Sequence, residues 1–445
     1  MRSQISLVAA ILVTLIAPAR AGEPVVGEEV TVVEGAAVAS PRAVFAGGSY
    51  LVIWQDGWPG ANATADIVGV RLAPKTLAPA GEPFKICAAD EAQFAPAIAA
   101  AGDVALVAWQ DFRNGKDLDI RAVRVDAKTG KLLGEEIEVA VKAGNQARPA
   151  VAASGEGFLV VWQEARGGGT YGISGARVSK DGKVLDAKPV SYAESGANPV
   201  ASASGGKYLV AWAQKKRRLS TSAALVDAAT GKLEKVLGGK NGINGPCGNG
   251  IAIAHDGAGN FMTVAGRESF PNPWGWPGPG AVLLSRVNAG GATPEANLDY
   301  AYRLNNVCGR KVPNVVDTAT WGKADKWHAG APGGFKGTRD GLWPNGWPGV
   351  AYDGKGAYLF VWVKGKIAPD RLNLTNLNIW LRGMDAKSLA VKVADRKVAA
   401  ADGVDETRPV LVAGPVGEIL LLYERLEPGA ARRVAARAIG LAGGE

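Results

Sequence analysis

The sequence predicts an all-β fold, a seven-bladed β-propeller of four-stranded blades. A short apolar strand ending in an anchor residue recurs seven times, a Pro precedes most copies, and the two ends of the chain complement each other. A repeat of roughly 50 residues built from short strands is typical of propellers and related arrays. Because each unit needs its neighbours to bury its faces, we expect one closed domain over 22–445. Two smaller arrays, or six blades with a separate module, are the open alternatives.

The recurring apolar strand is the second strand of each predicted blade. It is apolar at nearly every position, whereas a half-buried strand alternates, so both its faces are predicted to be buried between neighbouring blades. Its anchor residues are Trp54, Trp109, Trp162, Trp212, Ala265, Trp362 and Tyr423. The Trp anchors are therefore expected to pack between blades.

The other strands follow from Pro, Gly and a match between the chain ends. A Pro opens the first strand of most units, for example Pro41 and Pro149, where its missing N–H costs little. The seventh copy stops after its third strand, near 439, while Gly-Glu-Glu-Val-Thr-Val at 27–32 resembles the fourth strand at 134–139. Residues 27–33 are therefore predicted to complete the last blade, which removes an exposed strand edge.

The N-terminus reads as a secretory signal peptide over 1–21. Arg2 precedes an apolar run at 5–16, and Ala19-Arg20-Ala21 offers a cleavage site. A membrane anchor is the alternative, but the run is short for a bilayer, and no other segment is long enough to span one. The net charge of +8 is spread thinly, which argues against a nucleic-acid partner. A secreted or periplasmic monomer is predicted.

One stride between anchors, from Ala265 to Trp362, is nearly twice the others. Only one further strand fits before Pro348, so 303–346 are predicted to form an insertion, either functional or decorative. An exported chain can form disulfides. Cys247 and Cys308 fall on the same face of adjacent blades and are expected to pair, which leaves Cys87 unpaired.

The strand order places the second-to-third and fourth-to-first connections on one face, here called the loop face. Its irregular segments contain Trp58, Trp274, Trp276, Trp327, Trp343 and Trp347. Exposed Trp side chains rimmed by polar groups suggest a surface for sugars, peptides or cations. Packing of these Trp residues on one another, to stiffen the loops, is the alternative.

The second residue after each anchor also falls on the loop face. Acidic residues occupy this position in the first three blades and basic ones in the last three, namely Asp56, Asp111, Glu164, Arg267, Lys364 and Arg425. This arrangement predicts a face polarised across the channel mouth, and the six residues join the predicted ligand site. Local pairing, such as Asp111 with Arg113, is the alternative.

The sequence carries no catalytic signature. It lacks HExxH, clustered His, zinc-type Cys spacing and a Gly-x-Ser-x-Gly elbow, so neither metal, cofactor nor catalytic residue is predicted. A glycosidase carboxylate pair drawn from Asp56, Asp111 and Glu164 stays an alternative. Asp117 and Asp119 beside Asp111 offer Ca²⁺ ligands, although a hairpin satisfied by its own hydrogen bonds is the favoured explanation.

The second unit, over 106–120, resembles a repeat of exported bacterial proteins predicted to form TolB-like propellers. That repeat runs Val-Val-Trp-x-Asp-x-Arg-x-Gly and then Asp-Ile; the first three blades match best, and blades four, five and seven depart from it. The resemblance implies architecture rather than activity. The leading hypothesis is thus a propeller that binds a glycan, peptide or protein ligand on its loop face. A carbohydrate-active hydrolase or lyase using carboxylates of that face, and a structural envelope protein, are the alternatives.

Overall fold

The computed structural model describes residues 24–57, 64–155, 157–215, 219–237, 250–267, 281–291, 348–367 and 374–441. The predicted signal peptide and insertion lie outside these ranges. All regular elements in them are β-strands. None of the described segments forms a helix long and apolar enough to cross a membrane.

The strands run in chain order around a ring. Two short ones come first, β1 (Pro24–Val26) and β2 (Val30–Gly35). Blade one consists of β3 (Val38–Ala46), β4 (Ser49–Gly57), β5 (Ala65–Leu72) and β6 (Phe84–Cys87). Blade two consists of β7 (Gln93–Ala101), β8 (Val104–Asp111), β9 (Asp119–Asp126) and β10 (Ile137–Ala140). Blade three consists of β11 (Gln146–Ser154), β12 (Gly157–Gly167), β13 (Thr170–Val178) and β14 (Val190–Ala193).

The remaining blades repeat this order. Blade four consists of β15 (Ala197–Ser204), β16 (Lys207–Lys215), β17 (Leu219–Asp227) and β18 (Leu233–Leu237). In blade five the described strands are β19 (Ile251–His255), β20 (Asn260–Arg267) and β21 (Ala281–Asn288). Blade six consists of β22 (Gly349–Tyr352), β23 (Ala357–Ile367), β24 (Leu374–Asp385) and β25 (Val391–Ala399). Blade seven contains β26 (Asp405–Ala413), β27 (Glu418–Leu426) and β28 (Arg432–Leu441).

The seven sheets are antiparallel and confirm the predicted propeller. The first strand of each blade contacts the first strand of the next, and β26 contacts β3, so these strands line the central channel. The N-terminal segment closes the ring as predicted, because β1 and β2 pair with successive parts of β28. The fourth strand of blade seven is thus supplied in two pieces from the other end of the chain.

The core consists of seven apolar clusters, each between two neighbouring blades. Successive side chains of a second strand point to opposite blades: Trp54 packs with Leu420 of blade seven, whereas Ile53 packs with Trp109 of blade two. The five Trp anchors are at most 1 % exposed, which confirms their predicted packing role. A fully buried large side chain contributes roughly 2–3 kcal/mol, so the second strands dominate the stability.

The first strands differ from the prediction in one respect. In blades one to four and seven the Pro does not open the strand; in β3, for example, Val38 begins the strand and Pro41 lies within a β-bulge. The residue before the Pro adopts a left-handed conformation, with φ between 51° and 55°, at Ser40, Ala95, Arg148, Asn198 and Arg408. A bulge tolerates Pro because the ladder is already interrupted there.

The bulges explain the Gln that follows the Trp anchors of blades one to three. Each Gln side-chain oxygen accepts a hydrogen bond from the bulge N–H of the next blade: Gln55 from Ala95 (3.4 Å), Gln110 from Arg148 (2.6 Å) and Gln163 from Asn198 (3.2 Å). Glu424 does the same for Ser40 across the ring closure, at 2.8 Å. Blade four has Ala213 at this position, and the strand that follows it in blade five carries no Pro.

A second inter-blade contact recurs on the opposite face. Arginines near the ends of third strands donate to main-chain carbonyls in the next blade's turn: Arg71 to Lys128, Arg124 to Lys180, Arg177 to Ala229, and Arg286 to Ala386. Blade four has Leu225 at this place, and Lys235 instead donates to Gly291 at 3.0 Å. The blades are therefore tied to each other on both faces of the ring.

The ring closure has its own ionic cluster around Glu29. Arg425 donates to one carboxylate oxygen at 2.6 Å, and Arg437 and the hydroxyl of Tyr423 donate to the other. Only 17 % of the Glu29 side chain is exposed. By contrast, Glu34 in the same segment pairs with Arg433 while 44 % of its side chain is exposed. Glu29 thus joins the N-terminal segment to blade seven in a largely desolvated setting.

We predict that Gln110→Met destabilises the fold by about 1–2 kcal/mol, because the part-buried N–H of Arg148 loses its acceptor while the packing volume is kept. Gln163→Met, which removes a longer bond, is expected to cost less. Urea unfolding of both variants measures the difference. Equal stability of Gln110→Met and the unsubstituted protein contradicts the stabilising role given to the bond between Gln110 and the N–H of Arg148.

We predict that Glu29→Ala lowers the free energy of unfolding by roughly 2 kcal/mol, somewhat less than for a fully buried ion pair. The matched control is Glu34→Ala, whose exposed pair is expected to contribute at most about 1 kcal/mol. Both are measured by chemical denaturation in parallel. A larger loss in Glu34→Ala refutes the role given to Glu29.

Candidate functional site

The loop face holds the ends of the second strands and the starts of the first. Asp56, Asp111, Glu164 and Arg425 lie near such strand ends, as the sequence placed them. Arg267 and Lys364 also lie on β20 and β23, but their side chains are outside the described part. The predicted binding residues Trp58, Trp274, Trp276, Trp327, Trp343 and Trp347 lie outside the described residues as well.

The Asp111 carboxylate is fully buried and saturated with donors. Oδ1 accepts from the main-chain N–H and Nε of Arg113, and Oδ2 accepts from Nη2 of Arg113 and Nε1 of Trp109, all within 3.0 Å. These bonds with Asp111 raise the pKa of Arg113. A carboxylate offers about four acceptor positions, so Asp111 has none left for a ligand.

Local pairing also accounts for the other described charges at these strand ends. Glu164 accepts from Nε1 of Trp162 at 2.9 Å and pairs with Lys142 at 3.2 Å. Arg425 pairs with Glu29 and Glu427. Asp56 is half-buried and has a partner of its own. The open alternative of local pairing is thus what the structure shows for Asp111, Glu164 and Arg425.

The acidic turn after β8 is an internally bonded loop. The amide of Asn114 donates to Asp117 at 2.8 Å and to Asp119 at 2.9 Å, and Asp117 also accepts from the main chain of Gly144. Burial and the charge of Asp117 raise the pKa of Asp119. Within the described ranges, no three His, Cys, Asp or Glu side chains are grouped as metal ligands.

The mouth of the channel carries a set of residues that the sequence did not single out. The left-handed bulge residues Ser40, Ala95, Arg148, Asn198 and Arg408 occupy equivalent positions in their blades, and we call them the mouth ring. Arg148 and Asn198 are exposed, and neither side chain has a hydrogen-bond partner among the described residues. Arg-Pro and Asn-Pro were visible in the sequence as strand starts. Their left-handed backbone, which re-aims the side chains, was not predictable from Pro alone.

Two further arginines define this site. Arg42 lies two residues after Ser40, and among the described residues it donates only to the carbonyl of Pro41, at 2.9 Å. Burial lowers the pKa of Arg42, the nearby charge of Arg408 lowers it further, and Glu424 opposes both. The residue as a whole is nonetheless exposed to solvent, as expected of a side chain that faces the channel. Arg408 is 41 % exposed and contacts Glu424 only at 3.4 Å.

Cys87 is a free, buried thiol, as predicted. It donates to Glu136 at 3.2 Å, and burial raises its pKa to about 12, so it is a poor nucleophile. The predicted Cys247–Cys308 disulfide lies outside the described residues and stays a prediction.

Glu406 is a buried carboxyl in the first strand of blade seven. It occupies the position of Gln93 and Gln146 in blades two and three, opposite the second-strand residue Arg425. One oxygen accepts from the N–H of Ala401 at 2.9 Å, and the other has no partner in the described structure. Burial raises its pKa to about 7.

We predict that Glu406→Gln stabilises the protein above pH 7, by on the order of 2 kcal/mol, and that the gain disappears near pH 5. The raised pKa means that the folded state favours the protonated acid, so wild-type stability falls as pH rises through about 7. Urea denaturation from pH 5 to 8 measures this. Glu138→Gln, at a 63 % exposed side chain, is the control; a pH-independent gain in Glu406→Gln contradicts the assignment.

No protein-family model and no curated protein matches the chain. Among solved structures, it is similar to a protein of unknown function from Dyadobacter fermentans, at 11 % identity and TM-score 0.49, over 94 % of this chain and 99 % of that one. It is similar to a subtype N10 neuraminidase-like protein of a bat influenza A virus, at 8 % identity and TM-score 0.44, over 94 % and 99 %. An α-L-arabinofuranosidase from Fusarium graminearum matches at 11 % and 0.41, over 78 % and 93 %. Likenesses this distant carry no argument about activity.

Proposed function

We propose that this chain is an exported propeller that binds a carbohydrate ligand on its loop face, above the channel mouth. The observation that carries the proposal is the contrast between two groups of polar side chains on this face. The carboxylates of Asp111 and Glu164 are engaged in hydrogen bonds within the chain. Arg148 and Asn198, by contrast, are exposed, and their side chains have no partners among the described residues.

This contrast favours binding over hydrolysis. A glycosidase needs one carboxyl that donates a proton and a second that attacks or activates water, both within reach of the substrate. Asp111 is fully buried and Glu164 is 4 % exposed, and each is held by a Trp indole and a basic side chain. Side chains bonded in this way hold the strand ends in place and have little freedom to act on a sugar.

Chain connectivity supports a ligand surface around the mouth. Residues 58–63 join β4 to β5, and residues 268–280 join β20 to β21, both at loop-face ends of described strands. These segments contain Trp58, Trp274 and Trp276. Indole faces bind sugar rings through apolar and C–H contacts, with the N–H free to donate. In this proposal, sugar rings stack on these Trp side chains, next to the polar mouth of the channel.

The test is glycan-array binding by the mature protein and by Trp58→Ala and Trp276→Ala variants. At least one Trp variant is expected to lose roughly tenfold in affinity, equivalent to about 1.4 kcal/mol. Leu132→Ala is the matched control, because Leu132 is 43 % exposed in a turn on the opposite face. Absence of any bound glycan, binding to peptides alone, or unchanged binding in both Trp variants refutes the proposal.

A further inference from the structure

The seven channel-lining strands carry very few charged side chains. Those of β3, β7, β11, β15, β19, β22 and β26 are Arg42, Arg148, His255, Asp405, Glu406 and Arg408. His255 ends β19, at the opposite end of the channel from the mouth ring. The loop-face end of the lining therefore contains three arginines and two carboxylates.

Neither Asp405 nor Glu406 forms an ion pair with the arginines of the lining among the described residues. Asp405 accepts from the N–H of Leu377 at 2.9 Å, and Glu406 accepts from the N–H of Ala401, so both face blade-six segments. Glu424 accepts from the N–H of Ser40 at 2.8 Å and from Arg432 at 2.9 Å, and it also pairs with Arg408 at 3.4 Å. Within the described part of the chain, Arg42 and Arg148 therefore form no ion pair, and Arg408 forms only the long one with Glu424.

The backbone holds these guanidinium groups at defined places. The left-handed bulge residue is Arg148 in blade three, Asn198 in blade four, Arg408 in blade seven and Ser40 in blade one. Arg42 lies two residues after Ser40 and directly follows the same bulge in β3. Donors therefore approach the axis from opposite sides of the ring. A guanidinium has five N–H donors in a planar fork suited to carboxylate or sulfate oxygens, and Arg42 uses one of its donors.

Beyond the mouth, the channel lining becomes apolar. The partly exposed residues that follow further along the first strands include Val44, Ile98, Ala153, Ala201 and Ile253. A charged group gains no free energy by passing into this apolar part of the channel. The low-dielectric walls also strengthen the electric field of the arginines at the channel entrance. The geometry therefore defines a stop for an anion at the mouth ring.

We propose that Arg42, Arg148 and Arg408 bind an oxyanion of an acidic glycan, a carboxylate or a sulfate, at the channel mouth. This inference rests on the proposed binding of a carbohydrate at the loop face and adds its chemical class. Arg148 and Arg42 supply charge-assisted bonds, Asn198 and Ser40 supply neutral ones, and neighbouring sugar rings extend over the loop face.

The experiment is calorimetric titration of the mature protein with oligogalacturonide, with the same oligosaccharide after carboxyl reduction, and with a sulfated galactan oligosaccharide. At least one acidic probe is expected to bind tenfold or more tightly than the neutral one. Arg148→Gln and Arg42→Gln are each expected to lose at least fivefold for that probe and little for the neutral one. Lys188→Gln is the control, since Lys188 is exposed before the outermost strand of blade three.

The failures of the two proposals are distinguishable. If neither acidic probe binds, or if the arginine variants bind like Lys188→Gln, the oxyanion inference is overturned. Trp-dependent binding of neutral glycans on the array then leaves the carbohydrate proposal standing. Tighter binding of polyglutamate than of oligogalacturonide and sulfated galactan overturns the glycan class. Melting temperatures of the variants are measured beside the titrations, and a loss of affinity in a variant that melts like wild type counts as support.

Discussion

The burial of both faces of every second strand is the constraint on which the structure depends. A strand such as β4 presents Trp54 to one neighbour and Ile53 to the other, so no blade can complete its own core. Seven such interfaces require a closed ring, and a closed ring requires a fourth strand for blade seven. The N-terminal segment supplies this strand through ladder pairing of β2 with β28 and through the charged contacts of Glu29. These contacts fix the register between the two strands better than a purely apolar contact would.

Polar contacts at the two faces then fix the relative position of neighbouring blades, which the apolar clusters alone leave undetermined. Apolar packing is non-directional and tolerates small slips between sheets. The bond from the Arg148 N–H to Gln110, and that from Arg124 to the carbonyl of Lys180, each join two blades at a single relative position. The degenerate fourth blade supports this reasoning, since it lacks the Gln and the Arg together and recovers one contact through Lys235.

The sequence revealed what is local or periodic. The Trp anchors, the seven units and the closing strand followed from repetition, and the structure agrees with each. It did not reveal the bulge, because Pro restricts its own φ and disfavours helix before it, without specifying a left-handed neighbour. Nor did it separate ligand-facing from structural charges. The position of Asp111 predicts a site residue, but its carboxylate accepts four hydrogen bonds from its own chain, one of them from the indole of its own anchor. The arginines of the mouth are not predictable from the sequence, because Arg beside Pro in a strand matches no functional motif.

The same bulge explains why a structural device and a binding site coincide at the mouth. A left-handed non-Gly residue costs about 1–3 kcal/mol and persists only when its surroundings compensate. Here the acceptor oxygens of Gln110, Gln163 and Glu424 compensate by bonding the bulge N–H groups. Since only the main-chain N–H of the bulge residue makes this compensating bond, its side chain has no structural role. Ala95 fills the position without contributing chemistry, so Arg148 and Asn198 there are not required by the fold. Placing an arginine at such a position, above an apolar throat, concentrates positive charge where an approaching ligand meets the channel.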